Sequence, residues 1–365
     1  MQLRLRDQTV SPLGRLRLYV CGITPYDTTH LGHAFTFVWI DTLARVLEHV
    51  GVDVEVCRNV TDVDDDLLAE ARRRGVAWQV LANQQTYQFE DDMRHLRVRR
   101  PSFEPLSRDY VPQVVFLARA LLDRDAAYER NGSVYFRGAD ALQRSGLERA
   151  TALALHAEGH GSPDDPAKED PFDVAIWQPS ADGEPSWPSP WGPGRPGWHA
   201  ECAAMATTLL GLAVDVHAGG ADLAFPHHAY EASMAEAATG VAPFSRSWMH
   251  IGTVHHAGEK MAKSTGNLVL VGDLLQDWAP EAIRLALVQR PWWEPWEFDG
   301  STLEAAAAGL EGLWSAAALP HTDDTAEMEV IRLLVEGQDV GAALDVALES
   351  GGSAARTLAL VLGVR

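Results

Sequence analysis

At 365 residues with 46% hydrophobic content, the chain has material for a sizeable core and for more than one domain. Its formal net charge of −21, from 51 acids against 30 lysines and arginines, argues against a polyanion as main partner and favours a small substrate. Cys21, Cys57 and Cys202 are too few and too far apart for a disulfide framework, Arg4, Arg6 and Asp7 interrupt any leader-like start, and no apolar run reaches membrane-spanning length; a reducing cytoplasm without membrane attachment is expected.

Residues 1–15 read as a lead-in strand and turn. Leu16 to Val20 is a short apolar run, expected as a buried strand, and leads into Cys21-Gly22, Thr24-Pro25 and His30-Leu31-Gly32-His33. Phe35 to Glu48 carries apolar residues at helical spacing, with Gly51 beyond it as a stop signal. A strand, a turn and a helix start in this order are where α/β proteins bind nucleotides, because free N–H groups of the first turn face the phosphates. Val52 to Val60 alternates as a second strand. Asp62, Asp64, Asp65 and Asp66 follow it, and read as a helix N-cap with acids at the positive helix end in preference to a metal site.

Residues 66–100 are expected to be helical. Pro101 and Pro105 mark a loop, Tyr110 to Ala126 a further helix, and Asn131-Gly132 a hairpin turn into Ser133 to Phe136. Residues 157–197 read mostly as loop, studded with Trp177, Trp187 and Trp191; such a length suits a functional segment. A helix is expected from Cys202 to Leu210 and a short strand from Val214 to His217, running into Gly219-Gly220-Ala221-Asp222. Pro226 suits a first helical position, which places His227 and Glu231 on one helix face. Gly258 to Asn267 is a loop holding Lys260 and Lys263, and the tail from about 278 is Ala- and Leu-rich and helical.

Three groups of residues carry chemistry. Cys21, Cys202, His227 and Glu231 are zinc-ligand types in a number that suits a tetrahedral site, although buried inert cysteines and a surface His/Glu pair explain the same residues. His30, Gly32 and His33 suit nucleotide phosphates, or form a histidine-containing helix cap. Lys260 and Lys263, with Ser264, suit a leaving pyrophosphate as positioned point charges, or form a solvated lysine loop.

Taken together, these residues resemble the class I aminoacyl-tRNA synthetases in their cysteine-activating branch. His30-Leu31-Gly32-His33 resembles the HIGH signature, and Lys260-Met261-Ala262-Lys263-Ser264 the KMSKS loop with Ala262 in place of the first serine. Cys21, Cys202, His227 and Glu231 match the family's zinc positions. The segments 59–65, 183–202 and 219–228 match as well, and the resemblance covers about residues 16–300. It implies a Rossmann-like doubly wound parallel sheet with a helical insertion and a C-terminal helical bundle. The expected division is 1–66 and 171–277 as the two halves of the catalytic domain, 67–170 as the insertion, and 278–365 as the helical end.

The resemblance also implies chemistry. One Zn²⁺ per chain would bind the thiolate of L-cysteine, with Glu231 as a weaker ligand, and ATP with Mg²⁺ would be consumed in forming cysteinyl-AMP. His30, His33, Lys260 and Lys263 are the expected catalytic residues. Cys21, Gly22, Thr24, Thr36, Asn59, Thr61, Trp198, Gly220, Asp222, Val254 and Ser264 are the expected substrate and ATP contacts, with Asp222 on the ribose. Two acceptors compete within the branch. The wording CGITPYDTTHLGHA, the acidic charge and the little chain left for an anticodon-reading region favour a small amino sugar, glucosaminyl-inositol, over tRNA. Glu231 and Trp248-Met249-His250 look more like the tRNA-charging enzymes, and 158–163 (Glu-Gly-His-Gly-Ser-Pro) matches the amino-sugar ligases poorly, which leaves a paralogue using another amine as a third reading.

Overall fold

The computed structural model describes residues 2–26, 28–159, 161–262 and 265–365. Lys263 and Ser264 of the lysine loop therefore lie outside the described residues. The chain opens with a small hairpin, β1 (Leu3–Leu5) and β2 (Gln8–Val10). Then follow β3 (Arg15–Ile23), α1 (Leu31–His49) and β4 (Asp53–Val60). Helix α1 starts four residues ahead of the periodic run, because His30 caps it: its Nδ1 accepts from the Gly32 N–H at 3.1 Å. Histidine is not among the usual capping residues, so the start was hidden from the pattern.

Asp64 is the N-cap of α2 (Asp65–Arg74), accepting from the N–H groups of Asp66 and Leu67, so the acidic run is a helix start as expected. Gly75 ends that helix, and α3 (Trp78–His95) and α4 (Val111–Asp123) follow. The Asn131-Gly132 turn joins β5 (Ala127–Arg130) to β6 (Ser133–Phe136), with both turn residues at positive φ. Two short helices come next, α5 (Ala139–Ser145) and α6 (Arg149–Glu158). The 157–197 stretch departs from the loop expectation. It contains β7 (Val174–Pro179) and β8 (Gly194–Pro196), which pair antiparallel with the hairpin in the order β5-β6-β7-β8. Edge position lets β8 accommodate Pro196, and its glycines and prolines hid it from pattern reading.

Helix α7 (Trp198–Leu209) also starts four residues early, so Cys202 lies one turn inside it and not at its start. β9 (Val216–Gly220) sits two residues later than expected. A wide π-type segment, Ala224–His228, holds Pro226 and precedes α8 (Ala229–Thr239). β10 (Trp248–Ile251) completes a four-stranded sheet. Its order is β10-β9-β3-β4 and all its neighbours run parallel. The chain leaves β3 for β4 on one side and returns to β9 on the other, so the order reverses at β3. The carboxyl ends of β3 and β9 therefore open a crevice, where ligands of such sheets bind.

β11 (Val254–His256), β12 (Glu259–Lys260) and β13 (Trp296–Glu297) form a small sheet beneath the lysine loop, with α9 (Val271–Asp277) and α10 (Pro280–Val288) between them in sequence. Helices α11 (Gly300–Ala317), α12 (Asp324–Glu336), α13 (Val340–Ser350) and α14 (Gly352–Leu362) close the chain and share one core with α1 and the parallel sheet. No helix among the described residues is long and apolar enough to cross a membrane.

Candidate active site

A cavity of about 420 Å³ occupies the crevice at the carboxyl ends of β3 and β9. Cys21, Gly22, Thr24, His30, Gly32, His33, Thr36, Thr61, Trp198, Cys202, Gly220, Asp222, His227, Val254 and Lys260 all line it. Asn59 stands behind the wall. Its Oδ1 accepts from the Gly22 N–H at 2.9 Å and its Nδ2 donates to Thr61 Oγ1 at 3.0 Å, so it holds two wall residues in place. Gly22 is required there, because a Cβ would lie 1.7 Å from the Asn59 carbonyl oxygen.

One end of the cavity is the first turn of α1, whose free N–H groups give it a positive end. His30 and His33 stack there with ring centroids 3.9 Å apart. The His33 Nδ1 accepts from the His30 N–H at 3.5 Å. Burial, with His30 adding to it, holds His33 well below the usual histidine range, so its ring is neutral. A neutral ring that accepts at Nδ1 carries its proton on Nε2. His33 thus offers an uncharged N–H donor.

At the other end, Cys21, Cys202, His227 and Glu231 bring one ligand atom each to within 4.8 Å of one another, all buried. Strand β3 supplies Cys21, α7 supplies Cys202, and the i,i+4 pair comes from the segment entering α8. His227 Nε2 lies 2.9 Å from Glu231 Oε1, and the Cys21 thiol donates to the same oxygen at 3.4 Å. Burial raises Cys21 well above its ordinary value. Cys202 is lowered: burial is the largest influence and opposes ionisation, but the hydrogen bond from Cys21 and the charge and hydrogen bond of His227 together outweigh it. His227 is pushed up to about 10, since Glu231 and Cys202 overcome the effect of burial. Glu231 falls well below its ordinary value against burial, through His227 and His217. The cluster therefore pairs a raised thiol and a protonated imidazole with a carboxylate and a thiol of lowered pKa. Two sulfurs, one imidazole and one carboxylate in this arrangement fit a tetrahedral zinc site.

Sequence reasoning missed the residues behind this cluster. His217 Nε2 lies 2.8 Å from Glu231 Oε2, and His250 Nε2 lies 2.9 Å from His228 Nδ1. His199 Nδ1 lies 2.8 Å from His227 Nδ1, and Trp198 stacks on the His227 ring at 4.2 Å. Cys21, His217, His228 and Glu231 form a second, overlapping set of buried donor atoms. Burial together with His217 keeps His228 and His250 neutral, the latter at about 4. Lone histidines on strands carry no periodic signal, but four of them between 217 and 250 were a compositional cue.

Residues 8–308 match the model of the class I (C) tRNA synthetase catalytic domain. The chain belongs to this family. Among curated members, it is 42% identical over 359 residues to the L-cysteine:1D-myo-inositol 2-amino-2-deoxy-α-D-glucopyranoside ligase of Mycolicibacterium vanbaalenii, covering 94% of this chain and 84% of that one. The ligase of the same name from Thermomonospora curvata is 45% identical over 334 residues, covering 90% and 81%. A solved Mycobacterium tuberculosis methionyl-tRNA synthetase in complex with methionyl-adenylate superposes with a TM-score of 0.63 at 17% identity, over 96% of this chain and 82% of that one. That likeness shows the fold, and the fold is the class I synthetase fold expected from the signatures. Class I synthetases use ATP, and this chain is accordingly an ATP-using ligase.

Proposed function

We propose that the protein activates L-cysteine with ATP as cysteinyl-AMP and transfers the cysteinyl group to the amine of 1D-myo-inositol 2-amino-2-deoxy-α-D-glucopyranoside, a step of mycothiol biosynthesis. The observation that supports this most is the single cavity that joins a buried two-thiol, imidazole and carboxylate cluster to the α1 phosphate end. The first of these suits a substrate thiol and the second suits ATP. The names of the relatives supply the acceptor.

Cys21, Cys202 and His227 would hold one Zn²⁺, with Glu231 as the weaker fourth ligand. When bound, the metal favours a thiolate over a hydroxyl, which discriminates cysteine from serine. The cysteine carboxylate attacks the α-phosphate of ATP, with Mg²⁺ accompanying the nucleotide, and pyrophosphate leaves. The Nε2–H of His33 and the ring of His30 donate to the phosphates at the positive end of α1, and Lys260 and, on the strength of the signature, Lys263 add positive charge. Thr24, Thr36, Thr61, Trp198, Gly220 and Val254 wall the adenylate, Asp222 meets the ribose, and Ser264 is assigned to ATP by the signature alone. The three cysteines are all free, which suits a reducing cytoplasm.

A side-by-side assay tests the reading. Purified protein with zinc, magnesium, cysteine and ATP should exchange pyrophosphate in a cysteine-dependent way, and should form AMP and a cysteinyl amide when the amino sugar is added. Charging of tRNA at a rate comparable to adenylate formation, with the amino sugar ignored, would replace this reading by the cysteine–tRNA ligase one. Cysteine activation without use of either acceptor would point to another amine.

A further inference from the structure

A second cavity, of about 940 Å³, lies beside the first and shares with it Trp198, Asp222, Leu223, His227 and Lys260. These shared residues stand between the thiol-binding cluster and the lysine loop. An adenylate seated in the first cavity would present its acyl carbon there, since its thiol reaches the cluster and its phosphate reaches His30, His33 and Lys260. The second cavity adjoins that point, so an acceptor can approach the acyl carbon through it.

The outer wall of this second cavity comes from α5 and α6, the two short helices before β7, and the link between them, through Arg144, Leu147, Leu155 and Glu158. The end of α6 is set directly against the thiol-binding segment. A Cβ on Gly159 would lie 2.8 Å from Pro226 Cγ, so only a residue without a side chain lets the helix end approach this closely beside His227. The inner wall is Trp248 and His250, with Phe225 below them. The Trp248 indole is half-buried, stacks on His250 at 5.7 Å, lies tilted against His228 at 5.4 Å, and lines the cavity. It is an apolar surface of the kind that packs on the non-polar face of a sugar ring.

The charges on these walls divide into engaged and unengaged groups. Arg144 is paired with Asp140 and Glu236, and Asp222 with Lys260. The Glu158 carboxylate has no hydrogen bond or ion pair among the described residues and is exposed to the cavity mouth. A large, open, hydroxyl-compatible cavity with an aromatic floor and an unengaged carboxylate suits a polyhydroxylated cation.

We infer that this second cavity is the acceptor site, taking an amino-sugar glycoside with Glu158 as the counter-charge for its ammonium group. This rests on the reading above and adds where the acceptor binds. The ammonium group loses its proton to solvent as it passes from Glu158 toward the acyl carbon. The amine lone pair forms the C–N bond, the acyl C–O bond to the phosphate breaks with its electrons going to AMP, and AMP leaves. The second amine proton passes to solvent.

The test uses full-length protein loaded with zinc, with 1D-myo-inositol 2-amino-2-deoxy-α-D-glucopyranoside as acceptor. Glu158→Gln removes the charge, and Leu147→Trp narrows the cavity from a surface position. Each should raise the KM for the amino sugar about tenfold, the size expected for losing one charge-assisted contact. Cysteine-dependent pyrophosphate exchange should stay within twofold of the parent protein, because it does not use the acceptor. A KM for the amino sugar unchanged in both variants overturns the assignment. So does an equal fall of exchange and coupling, which would make the cavity a support of the adenylate pocket. Failure of the parent protein to couple the amino sugar at all overturns the functional reading and this assignment with it.

Discussion

Lys260 and Asp222 form an ion pair across the mouth of the site, with Nζ 2.6 Å from Oδ2 and both side chains about half exposed, at 48% and 50%. A pair this accessible contributes only about 0–1 kcal/mol. Opening it is therefore cheap, and the two partners can turn to different parts of one nucleotide. Asp222 would meet the ribose and Lys260 the phosphates.

Lys260→Ala should lower adenylate formation about 100- to 1,000-fold, the range for removing one preorganised charge-stabilising group. Cysteine binding should barely change, because the thiol-binding cluster lies at the other end of the cavity. Lys263→Ala should behave alike on the strength of the signature. Single-turnover rates beside equilibrium cysteine binding separate the two effects, and equal losses in both would mean that the loop shapes the pocket.

The helix entry leads to a second expectation. His33 is neutral across the working pH range, since burial and its stacked neighbour hold it well below the usual histidine value. Its contribution is an N–H donor. His33→Ala should cost about 100-fold in adenylate formation. His33→Asn, which keeps a donor, should recover part of that. Neither variant should remove an inflection near pH 6.5 from the rate profile, because a group with a lowered pKa does not titrate there. An inflection that disappears with His33 would show that the ring acts as a cation.

Much of the site was legible because its chemistry sits at punctuation. The β3–turn–α1 unit, the Asp64 cap and the Asn131-Gly132 hairpin all announce themselves through turn and cap residues. Cys21 and Cys202 are distant in sequence, and only the family likeness joined them; the structure brings them into one cluster because β3 and α7 meet at the sheet's reversal point. What stayed hidden lacks a local signal. Strand β8 is only Gly194-Arg195-Pro196, so its pairing with β7 beside the hairpin is a tertiary choice. His217 and His250 take their places from parallel register: His217 lies opposite Tyr19 on β3 and Trp248 on β10. The starts of α1 and α7 are set by a histidine cap and by Gly197, neither of which is a strong start signal.

The proposed zinc site of Cys21, Cys202, His227 and Glu231 has a consequence for protons. Without metal, Cys21 keeps its proton because burial and the neighbouring Cys202 and Glu231 raise it, and His227 is held protonated up to about 10. A ligating thiol and imidazole must both lose theirs. Binding of Zn²⁺ to the chelator-stripped protein near pH 7 should therefore release at least two protons per chain, and affinity should rise with pH. Calorimetry in buffers of different ionisation enthalpy counts them. Cys202→Ala should abolish stoichiometric zinc binding, and full zinc retention in that variant would place the site elsewhere.

The last prediction concerns what holds the C-terminal helices to the catalytic sheet. Arg284 on α10 is fully buried and reaches Asp41 on α1, the Leu362 carbonyl at the end of α14 and, at 3.0 Å, the Leu96 carbonyl. Burial still wins over its partners and brings it down to about 10, so the ion pair does not fully offset desolvation. Asp41 serves Arg45 at 2.7 Å and Arg99 at 2.8 Å as well, and Arg284 heads the partners that hold its carboxyl below the ordinary value against burial. Removing one side of a buried pair typically costs about 3–5 kcal/mol. The two sides are not equal here. Arg284→Met leaves Asp41 with two arginines, whereas Asp41→Asn leaves a buried guanidinium with no counter-charge. Urea unfolding at pH 7 should therefore rank Asp41→Asn as the more destabilising change, with Arg284→Met near the lower end of that range. The Asp41 contribution is present above the unfolded carboxyl value and is lost as pH falls through its lowered folded value. The gap between Asp41→Asn and the parent protein should accordingly narrow only in the acid range, below about pH 4. The opposite ranking at pH 7 would show that Arg284 is held by its carbonyl partners and that Asp41 serves mainly the surface arginines.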